Sequence, residues 1–151
     1  MNIKKWKNKY NQLLKQIIEP ITGNTTTYLN ELNNTGKNLL GVKFKGVFPS
    51  DKIPQLNDLS CYCILNLDSS KQDGSHWVAL TKMQNGDSIL YDSYGRHNKT
   101  IIPGLQYSGN GRVYDTNPDI EQKITETNCG ARCLAWLVFF ELYGWEKAIL
   151  I

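Results

Sequence analysis

Four residues whose types together activate a nucleophile occur in this 151-residue sequence, in the order His76, Asp92, Gln122, Cys129. A cysteine attacks as the thiolate. An imidazole moves the proton to a leaving group, and a carboxylate fixes the imidazole's tautomer. Cys129 lies between Asn128 and Gly130 at the head of an apolar stretch. If that stretch is a helix, Thr127 or Asn128 serves as its cap. Backbone N–H groups and the helix dipole then favour a negative sulfur. Gly130 puts no side chain in the way of an approaching carbonyl. Gln122 precedes Cys129 by seven residues, near enough for a short loop to return its amide beside the thiol. That amide and the Cys129 N–H would cradle the charge developing on a substrate oxygen. Taken singly, His76 also reads as a satisfied, partly buried polar residue, and Gln122 as a solvated surface amide.

Whether these groups meet depends on one hairpin. His76 to Met83 reads as a strand, Gln84-Asn85-Gly86 as a turn and Asp87 to Ser93 as the returning strand. A two-residue turn pairs His76 with Gly95 and sends Asp92 to the opposite face, because side chains alternate along a strand. A three-residue loop with a left-handed Gly86 pairs Met83 with Asp87 and His76 with Tyr94. His76 and Asp92 are then diagonal neighbours on one face, with backbones about 7–8 Å apart. The three-residue register is the one expected.

Around the hairpin, Cys61 to Leu67 reads as a buried strand and Gly111 to Asp115 as a further one. The stretch from Cys129 to Tyr143 is apolar nearly all round, with Gly144 as its C-cap, so it belongs at the centre of the fold. Ile3 to Ile18 carries apolar residues at helical spacing, with lysines opposite, and Pro20 and Gly23 stop it. It is expected to pack on the body as an amphipathic helix; a basic arm for nucleic acid or a partner is the other reading. Thr22 to Leu59 reads as loops with short strands such as Val42 to Val47. The expected fold is α+β, a central and mostly antiparallel sheet with the Cys129 helix against it. One domain is expected over 1–151, with an N-terminal helix at 1–20 and a catalytic core at 60–143.

Composition narrows the function. Hydrophobic residues are 40% and charged residues 21%, which excludes a disordered or collagen-like chain. The longest apolar run, Leu134 to Phe140, is too short to span a bilayer. No signal-peptide pattern opens the sequence, so the cysteines are expected in a reducing compartment. A net charge of +3 is too mild to imply nucleic-acid binding. Lysine outnumbers arginine 14 to 3 and asparagine occurs 15 times, usage that fits an AT-rich genome.

His76-Trp77, Tyr91-Asp92-Ser93, Gln122 and Asn128-Cys129-Gly130, separated by 16, 30 and 7 residues from His76 to Cys129, resemble the adenovirus-protease and ubiquitin-like-protein-specific protease group of cysteine peptidases. Papain-like enzymes place the cysteine first. The resemblance covers Ser60 to Tyr143. It implies an adenain-like fold with Cys129 as nucleophile, His76 as general base and then acid, Asp92 as orienting acid and Gln122 as oxyanion-hole donor. Trp77 and Gly130 would line a narrow substrate groove that admits glycine or another small residue before the scissile bond. Asp92 matches the ubiquitin-like-protein proteases and several large DNA-virus proteases, whereas adenovirus enzymes use glutamate there. The chain offers little surface to grip a folded ubiquitin-like protein, which favours the viral maturation branch, of large DNA virus or virophage type. A monomeric thiol endopeptidase follows, cutting capsid or core precursors in the virion and infected cell, not secreted and not at a membrane. It would need no cofactor, and a DNA or peptide activator stays open.

Two rivals stand beside this reading. One is another enzyme of the same clan, either a deubiquitinase-like or deSUMOylating protease or an acetyltransferase reusing the thiol. The other is a non-enzymatic capsid-associated or nucleic-acid-binding module. Cys61, Cys63 and Cys133 read as buried structural thiols. A zinc site of Cys61, Cys63, Cys129, Cys133 and His76 matches common zinc spacings poorly, so no metal is expected. His97, in a loop after Gly95-Arg96, is the fallback base.

Overall fold

The computed structural model describes residues 2–23, 29–54, 56, 60–67, 76–105, 111–122 and 127–151. Along the chain come α1 (Ile3–Leu13), a π-helical turn (Leu14–Ile18), α2 (Glu19–Thr22), α3 (Leu29–Leu40) and a 3-10 turn (Gly41–Lys43). Then follow β1 (Phe44–Pro49), β2 (Cys61–Asn66), β3 (Trp77–Lys82), β4 (Ser88–Tyr91), α4 (Asn98–Ile101), β5 (Val113–Asp115), α5 (Cys129–Tyr143) and α6 (Trp145–Ala148). This is an α+β arrangement on one sheet of order β1-β2-β3-β4-β5.

The sheet is mixed, not mostly antiparallel as expected. β2, β3 and β4 pair antiparallel, while β1 on β2 and β5 on β4 are parallel. Parallel neighbours need a crossover that returns the chain to the same end of the sheet. The stretches between β1 and β2 and between β4 and β5, the latter holding α4, supply it. A strand buried on both faces has no alternation to reveal its direction. In β2 all six residues are buried.

Alternation instead divides the core into two layers. Tyr62, Ile64, Ala79, Ile89 and Tyr91 face α5, whereas Cys63, Leu65, Val78, Leu80 and Leu90 pack under Ile102 and Leu105. Trp136 of α5 stacks on Tyr91 with centroids 5.5 Å apart and planes 3° from parallel. α5 is apolar nearly all round because helices cover the sides the sheet leaves open. Tyr10, Leu14 and Ile18, four residues apart and fully buried, join α5 in one core, and Trp6 meets Phe139 edge-on. None of the described helices is long and apolar enough to cross a membrane.

Three local expectations are corrected. The N-terminal helix runs past Pro20 to Thr22 and ends at Gly23, where φ is +79°. Pro20 sits in the first turn of α2, where a missing N–H matters little. The stretch read as loops contains α3. Its asparagines and Gly36 are weak helix formers, but burial of Leu32 and Gly36 outweighs propensity. β1 begins at Phe44, two residues later than expected, because the 3-10 turn takes Gly41–Lys43.

Gly36 explains how α3 reaches the sheet: a Cβ there would run into the ring of Phe44. Gly36→Ala should therefore lose about 1–3 kcal/mol through overpacking. Helix propensity alone would give the opposite sign, a gain of about 1 kcal/mol. Urea unfolding of the two proteins decides the sign.

Candidate active site

Gly86 sets the geometry. Its φ of +90° admits the extra residue of a bulged turn. Gly86 N donates to Met83 O at 3.0 Å, and Met83 N donates to Asp87 O at 2.7 Å. The ladder pairs Lys82 with Ser88, Thr81 with Ile89, Leu80 with Leu90 and Ala79 with Tyr91. Continued past the strand ends, this is the three-residue register, with His76 opposite Tyr94. Their rings stack at 4.7 Å and 26°. His76 Nε2 lies 2.7 Å from Asp92 Oδ1.

Asp92 is 3% exposed, so its charge needs partners. Arg96 Nε donates to its Oδ2 at 2.7 Å and Arg96 N at 3.2 Å, while Tyr94 N donates to Oδ1 at 3.2 Å. Burial alone would raise its pKa, but the His76 and Arg96 hydrogen bonds outweigh it and bring the carboxyl down to about 2. Arg96 also lies over the Tyr94 ring at 5.2 Å. Guanidinium, phenol and imidazole thus form a stack alongside the carboxylate. The sequence reading missed Tyr94 and Arg96; the signal was Arg96 four residues after Asp92 across a Gly-containing turn.

With Nε2 engaged by Asp92, the other ring nitrogen is left for sulfur. The Cys129 thiol lies within the electrostatic reach of the His76 ring and of the N–H groups of Trp77 and Gly130, all of which favour its charged form. Burial would raise the Cys129 pKa, but His76 and these donors outweigh it and lower it. Burial would lower the His76 pKa, but Asp92 and Cys129 raise it. The opposite shifts favour a thiolate facing an imidazolium.

Cys129 is the first residue of α5, as expected, but capping differs. Asn128 holds the N-cap position without a side-chain capping bond. Its side chain is drawn elsewhere: Nδ2 donates to Glu19 Oε1 at 3.1 Å, and Oδ1 accepts from Arg132 Nε at 3.1 Å. The first-turn N–H groups are thereby left for the sulfur.

Gln122 is buried and tied to the residue after Asp92. Its N–H donates to Ser93 O at 3.0 Å, and Ser93 Oγ donates to its Oε1 at 2.7 Å. Fixing the amide oxygen fixes which way the N–H2 faces. Ser93 in this role was not read from the sequence. The Trp77 side chain lies in the core, so its contribution at the sulfur is the backbone N–H.

Of the remaining candidates, Cys133 lies one turn beyond Cys129 on α5, Cys61 and Cys63 lie on β2, and His97 precedes α4. Cys61, Cys63 and Cys133 are buried thiols. Burial pushes the thiols of Cys63 and Cys133 well up. His97 accepts from Lys99 N at 3.1 Å at the start of α4 and pairs with Asp115 at 3.2 Å. Among the described residues no group of three or more His, Cys, Asp or Glu is placed to hold a metal.

Compared with protein-family models and with curated proteins, the chain matches none. The chemistry is therefore argued from geometry: a polarised sulfur at a helix start, an imidazole held by an ionised carboxylate, and an oriented amide.

Iodoacetamide at about pH 6, well below the ordinary thiol pKa of roughly 8.5, should label Cys129 before Cys63 or Cys133. Peptide mapping reads this order. Asp92→Asn, which removes the charge supporting imidazolium, should slow the labelling of Cys129 at that pH.

Proposed function

We propose that this protein is a cysteine endopeptidase, and that its substrates are the capsid or core precursors of a virus, cut after small residues. The observation that carries the reading is the relay from Asp92 through His76, by the 2.7 Å bond, to a thiol at the start of a buried helix. The motif order His76-Trp77, Asp92-Ser93, Gln122, Asn128-Cys129-Gly130 supports the substrate class through its resemblance to viral maturation proteases.

Sγ of Cys129 attacks the scissile carbonyl carbon and forms a C–S bond. The carbonyl oxygen takes the negative charge, for which the Gln122 amide and the Cys129 N–H are the donors. Collapse of this intermediate breaks the C–N bond, and the His76 imidazolium gives its proton to the departing amine. A water then attacks the thioester, His76 accepts its proton, and the acid product leaves the thiolate behind. Asp92 stays ionised throughout and holds the ring. Cys129 is 6% and His76 8% exposed, so a substrate must bring its carbonyl close with little bulk beside it. That narrowness supports glycine or another small residue before the cut.

The test is cleavage of a broad peptide library, read by mass spectrometry against Cys129→Ala. New termini following small residues are expected with the parent and none with Cys129→Ala or His76→Ala. Equal cleavage by Cys129→Ala would sink the mechanism. Rapid labelling by ubiquitin-type vinyl probes would move the substrate class to deconjugation.

Gln122→Ala should cost about 2.7–4 kcal/mol of barrier, a loss of roughly 100- to 1,000-fold in kcat. The pH profile should be bell-shaped. Its acid limb follows loss of the thiolate and its alkaline limb follows loss of the imidazolium proton.

A further inference from the structure

Three residues of the N-terminal helical segment each contact the immediate chain neighbour of a site residue. Glu19 Oε1 accepts from Asn128 Nδ2 at 3.1 Å, next to Cys129. The hydroxyls of Tyr10 and Tyr91 lie 2.7 Å apart, next to Asp92. Lys7 Nζ pairs with Asp119 and lies 3.5 Å from Glu121 Oε1, next to Gln122. Three polar contacts of the segment thus fall beside three different site residues. Behind the site the contacts join up. Arg132 donates to Asn128 at 3.1 Å, and its carbonyl accepts from Tyr10 at 3.4 Å.

The segment is also not a uniform α-helix. Between Tyr10 and Glu19 the helix widens into the π turn Leu14–Ile18, with Glu19 N donating to Leu14 O. Such turns shift the face presented by the residues that follow and are frequent at functional sites. Here the turn lets Tyr10 point into the core while Glu19 reaches the start of α5.

We propose that the segment Ile3–Thr22 is a built-in clamp that positions the reactive groups, with Glu19 and Tyr10 as positioning residues acting through Asn128 and Tyr91. It rests on Cys129 being the reactive thiol. The titratable groups coupled to Cys129 are His76 before β3 and Cys133 on α5. Those reaching Asn128 are Glu19, itself 3.0 Å from Lys15, and Arg132. Glu19 is negative, so an effect through charge alone has a definite sign: removing it would lower the thiol pKa and quicken alkylation. Positioning predicts the reverse.

The experiment is the pH dependence of Cys129 alkylation by iodoacetamide in the full chain, with melting followed in the same samples. Glu19→Ala should slow alkylation at about pH 6 by roughly 10- to 100-fold and move the acid limb to higher pH. Glu19→Gln, which keeps the acceptor without the charge, should restore the rate. Tyr10→Phe, which keeps the ring in the core, should likewise slow alkylation at about pH 6 as Asp92 loosens its hold on His76. Faster alkylation in Glu19→Ala, a loss that Glu19→Gln does not restore, or a Tyr10→Phe profile superimposable on the parent's would each overturn the clamp. If Glu19→Ala does not fold, Glu19→Gln and Tyr10→Phe still decide. A parent whose Cys129 alkylates no faster than free cysteine would overturn the reactive-thiol reading itself, a different result from a reactive parent with indifferent variants.

Discussion

The 2.7 Å hydrogen bond from His76 to Asp92 is the constraint on which the site depends. It joins residues that are not paired in the ladder but lie diagonally across it. Because side chains alternate, a slip of one residue between β3 and β4 would turn one of the two away. The choice is made at the far end of the hairpin, where Gly86 at φ +90° accommodates the bulge. The bond also requires an ionised carboxylate in a buried place. Four donors achieve this: the His76 ring, the Arg96 side chain, and the backbone N–H groups of Arg96 and Tyr94. A buried carboxylate with fewer partners would take up a proton rather than hold an imidazolium.

Cys129 and Cys133 form an internal comparison. Both are buried on α5, one turn apart. The thiol of Cys129 is shifted down, and that of Cys133 is shifted well up. Desolvation opposes the thiolate in both. What differs is the supply of donors. At the first turn of a helix the N–H groups have no partner within the helix, whereas one turn later each is committed to a carbonyl. Cys129 has an imidazole, one such N–H group from Gly130 and a second N–H from Trp77 at the start of β3; for Cys133, burial is reinforced by the neighbouring Cys129 and Asp92. Asn128 helps by turning its side chain to Glu19 and Arg132 instead of capping the turn itself.

Much of this was legible in the sequence because local rules set it. The Gln84-Asn85-Gly86 turn, the apolar stretch after Cys129 and the spacing of Tyr10, Leu14 and Ile18 each carry a strong short-range signal. What escaped depends on partners distant in the chain. α3 is stabilised by the fit of Gly36 to Phe44, which no propensity scale records. The parallel pairing of β1 and β5 follows from crossovers, and both faces of β2 are apolar. Tyr94, Arg96 and Ser93 are ordinary polar residues until the turn after β4 folds them onto Asp92 and Gln122. Asn128 read as a cap because the sequence does not show that Glu19 reaches it.

The contacts of Tyr10 have a consequence for the order of assembly. It bonds residues 81 and 122 positions away, and ordering the chain over such separations is slow. During synthesis the first helix emerges early, yet the core that Tyr10, Leu14 and Ile18 share is not complete until the stretch from Cys129 to Tyr143 has been made. A ribosome-bound chain therefore carries the histidine and the aspartate long before the sulfur joins them. The sulfur, the imidazole and the carboxylate meet only once α5 is drawn against the sheet and the first helix.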